Sequence, residues 1–298
     1  MTDKDEPQAW AEFWREDQGR GGGCLATAGG ELAASQLALW QGFAGSLPNK
    51  ARVLDLGTGD GIVLRHIAAR RPDVRLTGVD SALFLPPAKG RMKLQANVAM
   101  EELPFAQASF EAAVSQFGYE YSETRRSAGE VRRVLSPGGR FLFLVHRSDG
   151  PVVAHNRRRA EALRWAVAES GLIERAQSLA AARRTLPLPT PQSFTEAVRE
   201  AAARFGQDGV AAEIAQAVAQ SLGPGVSPAD SLAALGAIQR KAEGELLRLE
   251  ALASAARDEF GAGTLVEELR SAGLVAEAAT TVANRSGEPY AWALAGRG

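Results

Sequence analysis

A chain of 298 residues that is 45% hydrophobic is long enough to bury a full core and to carry an insertion. Its net charge of −1 offers no field for nucleic acid or anionic membranes, and Cys24, the single cysteine, excludes an intramolecular disulfide and a multi-cysteine metal site. No run of about eighteen apolar residues is present to span a bilayer and the polar start, Met1 to Pro7, lacks the apolar stretch of a signal peptide, so the expectation is a soluble cytoplasmic protein, a monomer or homodimer with no nucleic-acid or membrane partner.

In chain order, residues 1–48 read as an N-terminal helical extension. Trp10, Phe13 and Trp14 have helical spacing, Gly19, Gly21, Gly22 and Gly23 suit a hinge or a linker, and Leu32–Trp40 reads as a second amphipathic helix. Residues 49–150 hold five strands alternating with helices, the pattern of a doubly wound parallel sheet. Val53 and Leu54 end a buried strand, Gly57, Gly59 and Gly61 follow at alternate positions, and Ile62, Leu64, Ile67 and Ala68 then carry a helix. Arg75–Asp80 is a second strand and Phe110–Phe117 the fourth. A helix over roughly 122–135 stops at Ser136-Pro137-Gly138-Gly139, a tight turn before the strand Arg140–His146. Residues 151–262 are helical and alanine-rich, with apolar positions at Phe194, Ala197, Val198, Ala201 and Phe205, and again at Leu232, Leu235, Ile238, Ala242, Leu246 and Leu249. Ser227 is the N-cap of the second of these helices, with Pro228 in its first turn. Residues 263–298 return to α/β: a helix over Thr264–Ser271, a strand over Ala276–Val282, the Ser286-Gly287 turn and a last strand over Pro289–Ala295.

Asp55 decides what the glycine turn can bind. A dinucleotide's pyrophosphate would be repelled by a carboxylate pointing at it, and the dinucleotide fingerprint wants its third glycine where this chain has Ile62. A carboxylate suits a ligand with a cationic amine. The segment Val53 to Gly61 resembles the acidic-x-Gly-x-Gly-x-Gly signature of class I S-adenosylmethionine-dependent methyltransferases. Leu103-Pro104-Phe105, a strand, a helix, Leu135-x-Pro137-Gly138-Gly139 and a further strand resemble, in that order, the ubiquinone/menaquinone-type C-methyltransferases and their small-molecule relatives. The resemblance covers roughly residues 50–147. It implies a Rossmann-like, doubly wound, seven-stranded sheet, mostly parallel with the last strand antiparallel, and makes residues 151–262 a helical cap inserted between the fifth and sixth strands.

The resemblance also implies S-adenosyl-L-methionine as cofactor, S-adenosyl-L-homocysteine as product, and a set of binding residues: Asp55 with Gly57, Thr58 and Gly59 of the turn, and Asp80 with Ser81. The spacing of Asp80 from the glycines lets it accept from ribose hydroxyls. The acid that reaches the adenine amino group in that family is replaced by Ala99, which leaves Met100 as backbone donor and apolar cover and Glu101 as the nearest acid. Gln116 follows the fourth strand and is expected beside the methionine portion. Tyr119 and Glu120 are candidates to orient an acceptor or take its proton, Glu120 alternatively being a favourable charge at a helix start. His146 ends the fifth strand and is a candidate general base or a satisfied rim histidine. His66 reads as structural, and His155 with Asn156 and Arg157–Arg159 as a solvated helix face or an anion-recognition site.

The insertion holds thirteen Lys/Arg and thirteen Asp/Glu. A nucleic-acid methyltransferase would be expected to carry a basic appended domain, so the expected acceptor is a small organic molecule methylated on O, N or C. A macromolecule-directed methyltransferase and a non-catalytic cofactor-binding scaffold or sensor are the alternatives. The cap is expected to pack over the carboxyl ends of the strands, facing the glycine-rich N-terminal segment across the cofactor.

Overall fold

The computed structural model describes residues 5–17 and 30–298; Gly19–Gly23 and Cys24 lie outside them. The described residues form two compact units, one of 5–17, 30–154 and 251–298 and the other of 155–250.

The first unit is built on one sheet. Its strands are β1 (Arg52–Leu56), β2 (Arg75–Val79), β3 (Met92–Gln95), β4 (Phe110–Gln116), β5 (Leu135–His146), β6 (Val275–Ala276), β7 (Thr280–Ala283) and β8 (Pro289–Arg297), in the order β3-β2-β1-β4-β5-β8-β6, with β7 also on β8. The first five pair in parallel, whereas β8 runs antiparallel to β5, β6 and β7. The single strand expected over 276–282 is thus broken in two. Val275 faces Arg297 and Thr280 faces Ala293, a register change of one residue, which is the signature of a bulge.

Helices α1 (Asp5–Asp17), α2 (Gly30–Gly45), α3 (Ile62–Arg70) and α4 (Thr124–Val134) surround the sheet together with the later helix Glu259–Ser271. Side chains alternate across each strand, so Val53, Ala112, Val114 and Leu144 pack with Trp40 of α2 and with Val63, Leu64 and Ile67 of α3. Leu54, Leu56, Ala113, Phe141 and Phe143 pack on the other face with Val131 of α4 and Leu265 and Leu269 of the later helix. Strict alternation of strands and helices does not hold. The connections 80–91 and 96–109 contain no helix, and Pro86-Pro87 in the first of them explains why, since proline lacks the donor and clashes with a preceding helical turn. Ser136 to Gly139 belongs to β5 as an excursion in its pairing with β4. Leu135 faces Phe110 and Arg140 faces Ala112, and Gly138 takes the left-handed conformation at φ 72°.

The second unit is helical. It holds most of α5 (Pro151–Arg164), a π-helical turn over Trp165–Glu169, α6 (Leu172–Ala182), α7 (Ser193–Phe205), α8 (Val210–Ser221) and most of α9 (Pro228–Ala255); α10 (Glu259–Ser271) belongs to the first unit. Its core joins Leu163, Trp165, Ile173, Phe194, Val218 and Leu235 with many alanines. Ser227 caps α9, its Oγ accepting from Asp230 N at 3.1 Å and donating to the Asp230 carboxylate at 2.7 Å. Arg159 pairs with Glu245, and Arg157 and Arg158 are exposed. No helix among the described residues is long and apolar enough to cross a membrane.

Candidate cofactor site and the carboxyl ends of the strands

β1 ends at Leu56, and the chain then turns through three left-handed glycines, Gly57 (φ 66°), Gly59 (φ 52°) and Gly61 (φ 77°), into α3. All three are crowded, Gly61 by the Met92 sulfur at 2.9 Å from an added Cβ. A Cβ on Gly57 would lie 3.0 Å from Gly118 Cα, and one on Gly59 would lie 2.4 Å from the Trp14 ring. The turn is pinned from both neighbouring strands. Thr58 N donates to Val79 O at 3.0 Å, and Gly59 N to the Asp80 carboxylate at 2.9 Å. On the other side Ser115 Oγ donates to Leu56 O at 2.7 Å and accepts from Tyr119 N at 3.0 Å.

Asp55 is buried beneath this turn, 1% exposed. Its Oδ2 accepts from Thr58 Oγ1 at 2.7 Å, while Oδ1 is buried and accepts nothing among the described residues. Burial pushes its carboxyl up to about 8, against the Thr58 hydrogen bond and with the help of the Asp80 and Asp60 charges. Burial also raises Asp80, opposed by the N–H groups of Ala82 and Gly59 that it accepts at 2.9 Å each. An orphaned buried carboxylate oxygen is costly. Beside a turn that excludes side chains it is the kind of acceptor a ligand ammonium satisfies, so these residues fit S-adenosylmethionine.

The other expected site residues divide. Met100 lies against Gly57, its methyl 3.8 Å from where a Cβ would stand. Ser81 is exposed beside Asp80. Gln116 is tied down, its Oε1 accepting from the buried Trp40 indole at 2.6 Å. Glu101 accepts from Glu123 N at 2.7 Å and so braces the start of α4. Tyr119 lies in the core: it is fully buried, stacks on Phe143 at 4.7 Å and donates its hydroxyl to Thr124 O at 2.9 Å. Its phenol is raised well above its usual value, chiefly by burial. The Ser115 hydroxyl on Tyr119 N aims the ring inward, an effect invisible in the sequence. His66 is half-buried on α3, and burial lowers its pKa.

His146 and Glu120 come together. Glu120 Oε1 accepts both His146 N at 2.9 Å and the ring Nδ1 at 2.8 Å, and both side chains are fully buried. The imidazole is flanked by Phe117, stacked at 4.1 Å, and by Tyr121, edge-on at 6.3 Å. Phe117 sits at φ 58°, a conformation that bulky residues rarely hold.

Sequence reasoning missed the role of α1. Trp14 lies on Gly59, the Trp10 ring is 6.2 Å from Tyr121, and the Arg15 guanidinium is 5.2 Å over Phe84. The helix therefore crosses the ends of β1, β2 and β4. The Trp-x-x-Phe-Trp spacing was the signal for it, since an aromatic stripe needs a surface to cover. Trp14→Ala is expected to loosen α1, read as faster tryptic cleavage at Arg15 in the ligand-free protein; cleavage at the wild-type rate would show that the indole does not hold the helix.

Sheet order, glycine turn and paired acids are the features that class I methyltransferase domains share. Residues 54–143 match the family model for the methyltransferase domain, and over this stretch the chain is similar to the UbiE-type S-adenosylmethionine-dependent methyltransferases. The demethylmenaquinone methyltransferase of Thermotoga maritima is 38% identical over 100 residues, 32% of this chain and 44% of that protein. The ubiquinone/menaquinone biosynthesis C-methyltransferase UbiE of Syntrophotalea carbinolica is 38% identical over 108 residues, 33% and 45%. The chain thus spans less than half the length of these curated relatives. The solved 1,6-didemethyltoxoflavin-N1-methyltransferase of Burkholderia thailandensis, with S-adenosylhomocysteine bound, aligns over 97% of this chain and 87% of its own at 14% identity and a TM-score of 0.46, too loose an overlap to assign an acceptor.

Proposed function

We propose that the protein transfers a methyl group from S-adenosylmethionine to a small organic acceptor. The observation that carries this reading is the buried, unsatisfied Oδ1 of Asp55 beneath the glycine turn. When bound, the cofactor supplies an electrophilic methyl group. The chain's own residues bind, orient and keep the site dry. Asp55 receives the ammonium, and Asp80, already fixed by two N–H donors, accepts from the ribose hydroxyls. Met100 covers the adenine, Gln116 lines the methionine end, and the aromatic residues of α1 exclude water. The relatives' names give demethylmenaquinone as an acceptor in those proteins, which favours a small molecule here. A net charge of −1 speaks against nucleic acid.

Titration calorimetry with S-adenosylhomocysteine tests the cofactor assignment. Asp55→Ala and Asp80→Ala are each expected to weaken binding roughly ten- to a hundred-fold, the range for lost charge-assisted hydrogen bonds. Unchanged affinity in both folded variants would sink it. Methyl release with small hydroxylated aromatics, set against total RNA and protein, tests the acceptor class. Turnover only with RNA or protein would favour a macromolecule-directed enzyme, and binding without any turnover a scaffold.

A further inference from the structure

We infer that Glu120 and Phe117 are positioning residues that present His146 as the proton acceptor of the transfer, and that the acceptor is therefore methylated at an atom that gives up a proton. This inference rests on the methyltransferase reading. Four observations carry it. First, one carboxylate oxygen, Glu120 Oε1, accepts from both the main chain and the ring of His146, at 2.9 and 2.8 Å. A carboxylate only accepts, so the proton on the ring is placed on Nδ1, and Nε2 is the basic nitrogen. Second, Phe117 holds φ 58° immediately after β4 and thereby lays its ring on the imidazole at 4.1 Å. Strain of this kind is unfavourable and persists where the surroundings require it. Third, Glu120 Oε2 is buried with no hydrogen-bond partner among the described residues, so the pair keeps an unmet acceptor at the carboxyl end of the sheet. His146 also lies on the same side of the sheet as Asp55 and Gln116, two positions beyond Leu144 just as they lie two beyond Val53 and Val114.

For a hydroxyl acceptor the step balances as follows. The O–H proton passes to Nε2, an oxygen lone pair forms the new bond to the methyl carbon, and the electrons of the broken sulfur–methyl bond stay on sulfur. The positive charge thus moves from sulfur to the imidazolium, which Glu120 stabilises through Nδ1–H, and the proton later leaves to solvent.

The test uses the full chain with S-adenosylhomocysteine bound and 4-nitrophenol as probe, because its ionised form absorbs visibly and its neutral form does not. At a pH where the free probe is neutral, binding to the wild type is expected to generate the phenolate band. His146→Ala is expected to abolish the band, Glu120→Gln to reduce it strongly, and Glu120→Asp to keep part of it, all with near wild-type affinity for S-adenosylhomocysteine. With any phenol that is turned over, kcat is expected to fall roughly 10²–10⁴-fold in His146→Ala with little change in KM. Absence of probe binding, a bound probe that stays neutral, or an equal band in His146→Ala overturns the inference. Failure of the wild type to bind S-adenosylhomocysteine would instead overturn the methyltransferase reading. If either charge variant does not fold, Phe117→Leu removes the stacking and no charge. A lowered kcat and weakened band support the positioning role, and wild-type values overturn it.

Discussion

Affinity for S-adenosylhomocysteine is expected to rise with pH, by up to about tenfold per unit between roughly pH 5.5 and 7.5. The cause is Asp55, whose carboxyl is held up to about 8 from a usual 3.8 by burial in the ligand-free protein. A neutral carboxyl attracts an ammonium weakly, so binding at neutral pH must expel a proton, and that cost falls as the pH approaches 8. The sign for stability is the opposite. A raised carboxyl contributes to the ligand-free fold fully below about 3.8 and loses that contribution progressively as the pH rises to about 8. The ligand-induced rise in melting temperature should therefore grow with pH over the same window. Calorimetry in buffers of different ionisation heat should count close to one proton released per ligand bound in the wild type. Asp55→Asn should release fewer, any remainder belonging to Asp80, which burial also raises. Binding that is independent of pH, with no proton released, would mean that Asp55 does not meet the ammonium.

What was legible in the sequence was local. The glycine turn, the acid before it and the capping serine of α9 each sit within a few residues of the partners that define them, and the acid closing β2 stands at a fixed spacing from the turn. Spacing alone carries such contacts, and Thr58 on Asp55 or Asp230 on Ser227 needs no knowledge of the fold. Contacts made by strand adjacency were not legible. Glu120 and His146 each follow a strand end and read as separate candidates, yet they share one oxygen because β4 and β5 are neighbours in register. Tyr119 read as a candidate to orient an acceptor or take its proton from its place after β4, whereas its N–H meets the Ser115 hydroxyl, itself bonded to Leu56 of the adjacent strand, and its ring lies in the core. The break between β6 and β7 had no composition signal, since a one-residue shift leaves the apolar pattern almost intact. The missing helix after β2 did have one, in Pro86-Pro87. α1 announced its amphipathic face through Trp10, Phe13 and Trp14, but not the glycine it covers.

Gly78→Ala is expected to damage both the fold and the cofactor site although Gly78 is placed in neither binding nor catalysis. Gly78 pairs with Asp55 in the β1–β2 register, and a Cβ there would stand 2.3 Å from Thr58 Oγ1 and 2.6 Å from Thr58 Cβ. Thr58 is buried, and its branched side chain has few rotamers to move into. It cannot retreat without giving up the 2.7 Å hydrogen bond that is the partner of Asp55 Oδ2. Overpacking of this kind costs about 1–3 kcal/mol, or roughly 2–12 °C in melting temperature for a unit of this size. Affinity for S-adenosylhomocysteine should fall with it, because Asp55 is no longer aimed. Gly129→Ala is the control. It lies mid-helix in α4 with nothing within 4 Å of the added methyl, so it should leave stability unchanged or raise it by up to about 1 kcal/mol. The double variant Gly78→Ala, Thr58→Ala separates the two consequences. Removing the Thr58 hydroxyl and methyl should restore much of the melting temperature, a coupling of about 0.5–3 kcal/mol for residues in contact. It should not restore cofactor affinity, because Asp55 then lacks the hydroxyl that orients it. Full affinity in the double variant would show that the glycine turn binds without Thr58, and wild-type melting in Gly78→Ala would show that the turn yields more readily than its packing implies.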